Sequence, residues 1–324
     1  FSDMTEDVLF LSPSVQRNLP ALVAAKARGV FLFSDAETFF AGVGAPVFGI
    51  TGSDGKSTTA TLTALLLSRT YPAVECIGNI GRSMSEALLS SADAYVAELS
   101  SFQLTGFSPR LFRAGITSFS ENHLDWHKDR GEYLAAKENI LKCAQYRVLP
   151  ADDAVLFPLI AKYRPEALVS LSKSARELAA LGASVAVTAD ETALLLNGEP
   201  VLARKTIRRQ DPCTLKNLMF AIAMTDGLTD RRRIAEVAAT FDGLPHRRQD
   251  LGVFGGVRFI DSSIDSTPAR TAATLSSFTE KPVVILGGGG KNLSYEPLFP
   301  VLREHARAAV LYGETGKQIA ALFA

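Results

Sequence analysis

Pro46-Val-Phe-Gly-Ile50, then Thr51-Gly-Ser-Asp-Gly-Lys-Ser-Thr58, then an apolar run to about Arg69, reads as a strand, a Gly-rich turn and a helix from Ser57. Glycines in such a turn let successive backbone N–H groups face inward around phosphate oxygens, and the helix N-terminus adds the positive end of its dipole. Lys56 is then expected against the terminal phosphates and the Ser57 hydroxyl on Mg²⁺. Gly52, Ser53, Asp54, Gly55 and Thr58 complete the nucleotide-binding loop. The strict phosphate-loop pattern asks for Gly where Ile50 stands, so this loop is a variant. The competing reading is a strand–turn–helix corner that carries Gly-Lys-Ser by chance; four loop features and both flanks weigh against it.

Working outward, the chain alternates strands and helices, the pattern of parallel sheets with crossover connections. Asp7–Ser12 reads as a buried strand ending at Ser12-Pro13, with a helix over 19–27 and a strand at Val30–Phe33. Beyond the loop, Tyr95–Leu99 and Ala114–Phe119 read as buried parallel strands, followed by a helix over Gly131–Gln145. Asn197-Gly198 joins 193–196 to 200–202 as a hairpin, since Asn-Gly suits a type I′ turn. Helices near 215–225 and 231–239 lead to Gly243-Leu-Pro245. A second βαβ pattern then runs through strand 257–261, helix 268–278, strand 282–286, helix 295–306 and strand 308–312. These boundaries predict three α/β pieces: 1–42, a central phosphate-loop domain with a parallel sheet over 43–242, and 243–324.

Composition limits the alternatives. The 324 residues carry 34 Lys+Arg against 34 Asp+Glu, so the net charge is zero and lacks the basic footprint of a nucleic-acid binder. Arg231-Arg232-Arg233 is the one basic run and reads as a solvated helix face. Cys76, Cys143 and Cys213 are too few and too scattered for a disulfide framework or a CxxC metal site. No apolar run approaches the roughly 18 residues of a membrane span, and no signal-like N-terminus is visible. The expectation is a soluble protein of a reducing compartment.

Two further side chains follow from position alone. Glu98 ends an apolar strand at the carboxyl edge of the expected sheet, where a buried carboxylate needs a partner or a metal. It suits Mg²⁺, or else is an ordinary strand-end surface residue. Lys137 projects from the middle of the helix face formed by Tyr133, Leu134, Ile140, Leu141 and Ala144. On geometry alone a snorkelling lysine fits that place as well.

Seven stretches, in order, give the chain a resemblance to the Mur ligases, ATP-dependent amide-forming enzymes of peptidoglycan synthesis. They are Thr51–Thr58, Gly78-Asn-Ile-Gly81, Glu98-Leu-Ser-Ser-Phe-Gln-Leu104, Glu121-Asn-His-Leu-Asp125, Ala135-Ala-Lys137, Gly243-Leu-Pro-His-Arg247 and Gly287–Lys291. The stretch after Glu98 is similar to that of the D-glutamate-adding branch. The resemblance implies a three-domain architecture whose N- and C-terminal Rossmann-like domains are both incomplete here, as in a fragment lacking both ends. It implies ATP and Mg²⁺ as cofactors, with UDP-N-acetylmuramoyl-L-alanine and D-glutamate as substrates. It also implies a monomer in the bacterial cytoplasm, with no nucleic-acid or membrane partner. Under it Ser57, Glu98, His123 and Lys137 become metal ligands, Lys137 as a carbamate. A desolvated amine near a cation has a lowered pKa and is free to react with CO₂. Asn79, Ser100, Gln103, His123 and Lys291 fall to the substrates, Asn217 to the adenine side, and Arg247 to phosphate. Lys56, Glu98, His123, Lys137 and Arg247 form the expected catalytic set. Folylpolyglutamate synthase shares this chemistry and is one alternative; a non-catalytic nucleotide-binding fragment is the other.

Departures from the family pattern are specific. Ser118 stands where Asn is usual, and the adenine-side His-Asn-x-x-Asn appears as Cys213-Thr-Leu-Lys-Asn217. Ile264 replaces a lysine within Asp261–Thr267, leaving Asp265 and Ser266 as candidate substitutes.

Overall fold

The computed structural model describes residues 6–120, 126–289 and 293–323. It divides into two compact units, Phe1–Phe241 and Asp242–Ala324.

The first unit opens with β1 (Val8–Phe10), α1 (Pro20–Ala27), β2 (Phe31–Phe33) and α2 (Asp35–Gly42). β1 and β2 form a parallel pair of their own. The expected buried strand at the start is not buried: Val8 and Phe10 are exposed. With β2 as the only neighbour of β1 among the described residues, alternate side chains of the pleat face solvent.

The main sheet follows: β3 (Val47–Thr51), α3 (Lys56–Leu67), β4 (Val74–Gly78), α4 (Met84–Ala87), β5 (Ala94–Glu98) and α5 (Ser101–Leu104). Next come β6 (Leu111–Ile116), α6 (Arg130–Lys142), β7 (Ala144–Pro150), α7 (Phe157–Tyr163), β8 (Ala167–Ser170) and α8 (Ala175–Ala180). β9 (Val185–Ala189), β10 (Ala193–Leu196), β11 (Glu199–Ala203), α9 (Pro212–Met224) and α10 (Arg231–Thr240) complete the unit. The nine strands lie in the order β11-β10-β9-β8-β7-β6-β3-β5-β4. The sheet is therefore mixed rather than wholly parallel. Seven strands run parallel, and the hairpin expected at Asn197-Gly198 adds β10 and β11 antiparallel at one edge.

β3 and β5 are buried along their whole length, as central strands covered on both faces must be. Gly49 and Gly115 sit where a Cβ would strike Leu111 and the Phe220 ring, so the missing side chains let neighbours close onto the sheet. The strand order changes direction at β3, which places the phosphate loop at the topological switch point.

The second unit holds β12 (Gln249–Phe254), β13 (Val257–Asp261), α11 (Pro268–Ser276), β14 (Val283–Gly288), α12 (Leu298–His305), β15 (Ala308–Tyr312) and α13 (Gly313–Ala321). β14 and β15 pair in parallel as expected, but β13 pairs antiparallel with β12. The cause is Gly255-Gly256, both at positive φ, which closes a two-residue hairpin. Leu275, Leu298, Leu302 and Ile319 form this unit's small core.

Candidate functional site

The loop between β3 and α3 is held from one side by the segment after β6. Ser53 N–H donates to Ser118 O at 2.9 Å, and Ser53 Oγ contacts Ser120 O and Ser120 N, each at 2.9 Å. Asp54 N–H donates to Ser118 Oγ at 2.9 Å, while Thr117 Oγ1 donates to Asp54 O at 2.5 Å. The hydroxyl of Ser118, where the family pattern has Asn, thus braces the loop directly.

Two glycines are obligatory here. Gly52 has φ +152° and its Cβ would collide with Thr117 Oγ1; Gly55 has φ +82° and its Cβ would collide with Asn217 Oδ1. Gly55 is also the N-cap of α3 and supplies no side-chain acceptor to the first turn. The opening N–H groups of α3 are thereby left without a side-chain cap, as an anion site requires. Asn217, on α9, accepts from Thr59 Oγ1 at 3.3 Å and lies against the loop. Beside it, Thr117, Pro150, Val169, Leu171 and Phe220 border a hollow of about 300 Å³ including its mouth.

Lys56 folds onto its own loop, donating to Gly52 O and Ser53 O at 2.9 Å each. Lys137 reaches the same place from α6: Nζ donates to Gly52 O at 2.8 Å and stands 4.6 Å from the Tyr133 ring centroid. At 2% exposure it does not snorkel. Its burial, and next the Lys56 charge, hold its pKa well below the ordinary lysine value; Asp54 and Glu98 pull weakly the other way. A neutral amine is the form that reacts with CO₂.

Glu98 closes β5 at 4% exposure, which removes the surface-residue reading. Its Oε2 is buried with no hydrogen-bond partner among the described residues. An uncompensated buried carboxylate costs several kcal/mol, so this oxygen fits a divalent ion. Among the described residues no three His, Cys, Asp or Glu side chains gather into a metal cluster. A single buried carboxylate oxygen of this kind fits Mg²⁺, which takes one or two carboxylates and leaves the remaining positions to water and phosphate.

Other expected residues divide by setting. Asn79 is exposed beside Glu98, whose carbonyl accepts its N–H at 3.1 Å. Ser100 caps α5, and the Gln103 side-chain oxygen accepts from Ser100 N and Oγ at 3.0 Å, so that oxygen is engaged in a capping box. Ser57 and Thr58 lie in the first turn of α3. His123 and Lys291 fall outside the described residues. In the second unit Arg247 is half-buried next to His246, whose Nδ1 lies 2.7 Å from Asp261 Oδ2. The Ser263 N–H, followed by His246, holds the Asp261 carboxyl down at about 2. Asp265 Oδ2 is taken by Ser262 and Thr274 at 2.7 and 2.6 Å, while Ile264 is exposed. Sequence reasoning missed the brace of Thr117, Ser118 and Ser120, and it missed the buried His127. The cue it had was only that Ser118 departs from Asn.

A phosphate loop at a switch point, with a buried carboxylate and a buried amine beside it, defines a nucleotide-dependent phosphate-handling protein. The Mur ligase middle domain matches residues 50–225. The UDP-N-acetylmuramoylalanine–D-glutamate ligase of Clostridium novyi is 35% identical over 319 residues, 97% of this chain and 68% of that protein. The enzyme of the same name from Acetivibrio thermocellus is 33% identical over 321 residues, 97% and 68% of the two chains. Among solved structures, UDP-N-acetylmuramate–alanine ligase MurC of Thermotoga maritima shares the fold, with TM-score 0.64 and 18% identity over 96% of this chain and 77% of that one. The MurF ligase of the same organism, solved with ADP, has TM-score 0.63 and 16% identity over 93% and 73%. The chain belongs to the Mur ligase family. No helix among its described residues is long and apolar enough to cross a membrane.

Proposed function

We propose that this chain is an ATP-dependent amide ligase that joins D-glutamate to UDP-N-acetylmuramoyl-L-alanine. The observation that carries this reading is the 33–35% identity, across 97% of the chain, to two ligases named for that reaction. The loop, Glu98 and Lys137 supply chemistry that the reaction needs.

In the proposed reaction the L-alanine carboxylate oxygen attacks the γ-phosphorus and ADP leaves, giving an acyl phosphate. The D-glutamate nitrogen then attacks the acyl carbon through a tetrahedral intermediate, and phosphate departs as the amine loses its proton. The N–H groups at the start of α3 and the Lys56 ammonium hold phosphate oxygens, the amine exchanging the carbonyls of Gly52 and Ser53 for the nucleotide. Bound Mg²⁺ would neutralise phosphate charge. Ser57, Glu98 and carbamylated Lys137 are the residues proposed to hold it, with His123 as a fourth. The unmodified amine is cationic or neutral and is no ligand for a hard cation in its charged form, whereas the carbamate presents oxygens.

Asn79, Ser100 and Gln103 are proposed on the UDP-substrate side and Asn217 on the adenine side. In the second unit Arg247 is proposed for phosphate and Lys291 for D-glutamate. The division into 1–42, 43–242 and 243–324, a monomeric state, a cytoplasmic setting and the absence of nucleic-acid or membrane partners belong to the same proposal. The test is phosphate release from ATP with UDP-N-acetylmuramoyl-L-alanine or a folate as acceptor, and D-glutamate, L-glutamate or neither. Release that requires D-glutamate supports the reading. Release with L-glutamate on a folate acceptor instead, or none with any pair, overturns it.

A further inference from the structure

One buried polar side chain outside the loop touches both flanks of the Glu98–Lys137 pair. His127, 1% exposed, lies just before the Asp129 N-cap of α6. Its Nε2 stands 2.9 Å from Ser101 Oγ, the first residue of α5 and three positions after Glu98. Its ring packs at 5.2 Å from the Tyr133 ring and 5.7 Å from Phe102. Tyr133 is itself the ring under the Lys137 amine, and its hydroxyl lies 3.1 Å from Ser53 Oγ in the phosphate loop. One imidazole therefore links the turn that follows Glu98 to the aromatic support of Lys137. A second tie between the same helices, Asn139 Nδ2 to Leu104 O at 2.7 Å, lies further along α5 and touches neither site group.

A ring placed there only to fill volume needs no nitrogen. Burying imidazole in place of a phenyl group is unfavourable for each nitrogen left unbonded; of the two, the one with a hydrogen-bond contact among the described residues is Nε2, and it goes to the helix that carries the chain away from Glu98. We propose that His127 is a positioning residue: through Ser101 and Tyr133 it fixes the separation of the Glu98 carboxylate from the Lys137 side chain. The proposal rests on the reading of those two groups as the metal-holding pair.

The test is calorimetric titration of the protein with ADP, with and without Mg²⁺, in bicarbonate buffer. His127→Phe keeps the ring and removes the nitrogen. It should weaken Mg²⁺-dependent ADP binding about tenfold, the worth of one buried hydrogen bond, while metal-free binding stays within about twofold. His127→Gln should recover most of the loss. Ser101→Ala should reproduce it and add little when combined with His127→Phe, since both act through one contact. Equal affinity in His127→Phe and wild type overturns the proposal. So does a loss that is the same with and without Mg²⁺ and is not recovered by Gln. Glu98→Gln in the same titration keeps the two readings apart: if it retains the Mg²⁺ dependence, the metal-holding pair itself is wrong.

Discussion

Lys56 and Lys137 donate to a single acceptor, the carbonyl oxygen of Gly52, at 2.9 and 2.8 Å. Two ammoniums sharing one oxygen cannot be more than about 6 Å apart, and at an effective dielectric of about 20 they repel by roughly 3 kcal/mol. Lys137 is the more buried of the two, and that burial, followed by the Lys56 charge, lowers its pKa well below the ordinary lysine value. Under the proposed function, the loop lysine serves phosphate and its neighbour, as the neutral amine, is the proposed nucleophile toward CO₂.

That relationship sets a pH dependence. The folded protein holds Lys137 neutral from its lowered pKa upward, whereas the unfolded chain keeps the amine protonated up to about the ordinary 10.5. Between those limits the unfolded state binds the extra proton, so stability rises with pH. In CO₂-free buffer, wild type should gain stability relative to Lys137→Met as pH climbs from about 7 to about 9.5, read by thermal melts. A gap that stays constant contradicts the assignment.

Chemical rescue follows from the emptied space. Lys137→Ala should lose ligation, and short carboxylic acids should partly restore it by placing an anion where the carbamate stood. Lys137→Arg should stay inactive, because guanidinium keeps its charge and cannot be carbamylated. Full activity in the Arg variant, measured as phosphate release, would leave the residue a structural cation.

Lys56→Ala should abolish ATP-dependent ligation in a protein that still folds, since it removes the ammonium proposed to hold phosphate oxygens. Circular dichroism melts and phosphate release read the two effects separately. Normal turnover would refute the loop assignment.

Gly55→Ala should cost about 1–3 kcal/mol, from a positive φ that L-residues resist. It should also displace Asn217, whose Oδ1 occupies the space a Cβ needs. ADP affinity should fall with it. Unchanged ADP binding in a folded Gly55→Ala protein would mean that the loop adopts another conformation.

What could be read ahead of the structure depended on how local each signal is. The phosphate loop was legible because glycines, lysine and both flanking elements lie within a few residues. Glu98 and Lys137 were legible by place, but their burial was not, since Gly52 lies 85 positions from Lys137. Strands β4, β7, β8 and β9 escaped notice. β7 mixes exposed and buried residues, and it follows α6 across Cys143 alone, with neither Gly nor Pro to mark the change. The antiparallel β12–β13 pair was missed although Gly255-Gly256 is a hairpin signal, because the surrounding pattern already read as βαβ. His127 carries no local signal at all; its partner Ser101 is 26 residues earlier.

Isotope transfer tests the proposed chemistry most directly. UDP-N-acetylmuramoyl-L-alanine labelled with ¹⁸O in its carboxylate is incubated with the protein, Mg²⁺, ATP, bicarbonate and D-glutamate, and the released phosphate is analysed by mass. Attack by the substrate carboxylate requires one ¹⁸O in that phosphate, lost in Lys56→Ala and Lys137→Ala. Phosphate carrying only unlabelled oxygen would mean that water, not the substrate carboxylate, attacks at this loop, and would contradict the proposed ligation.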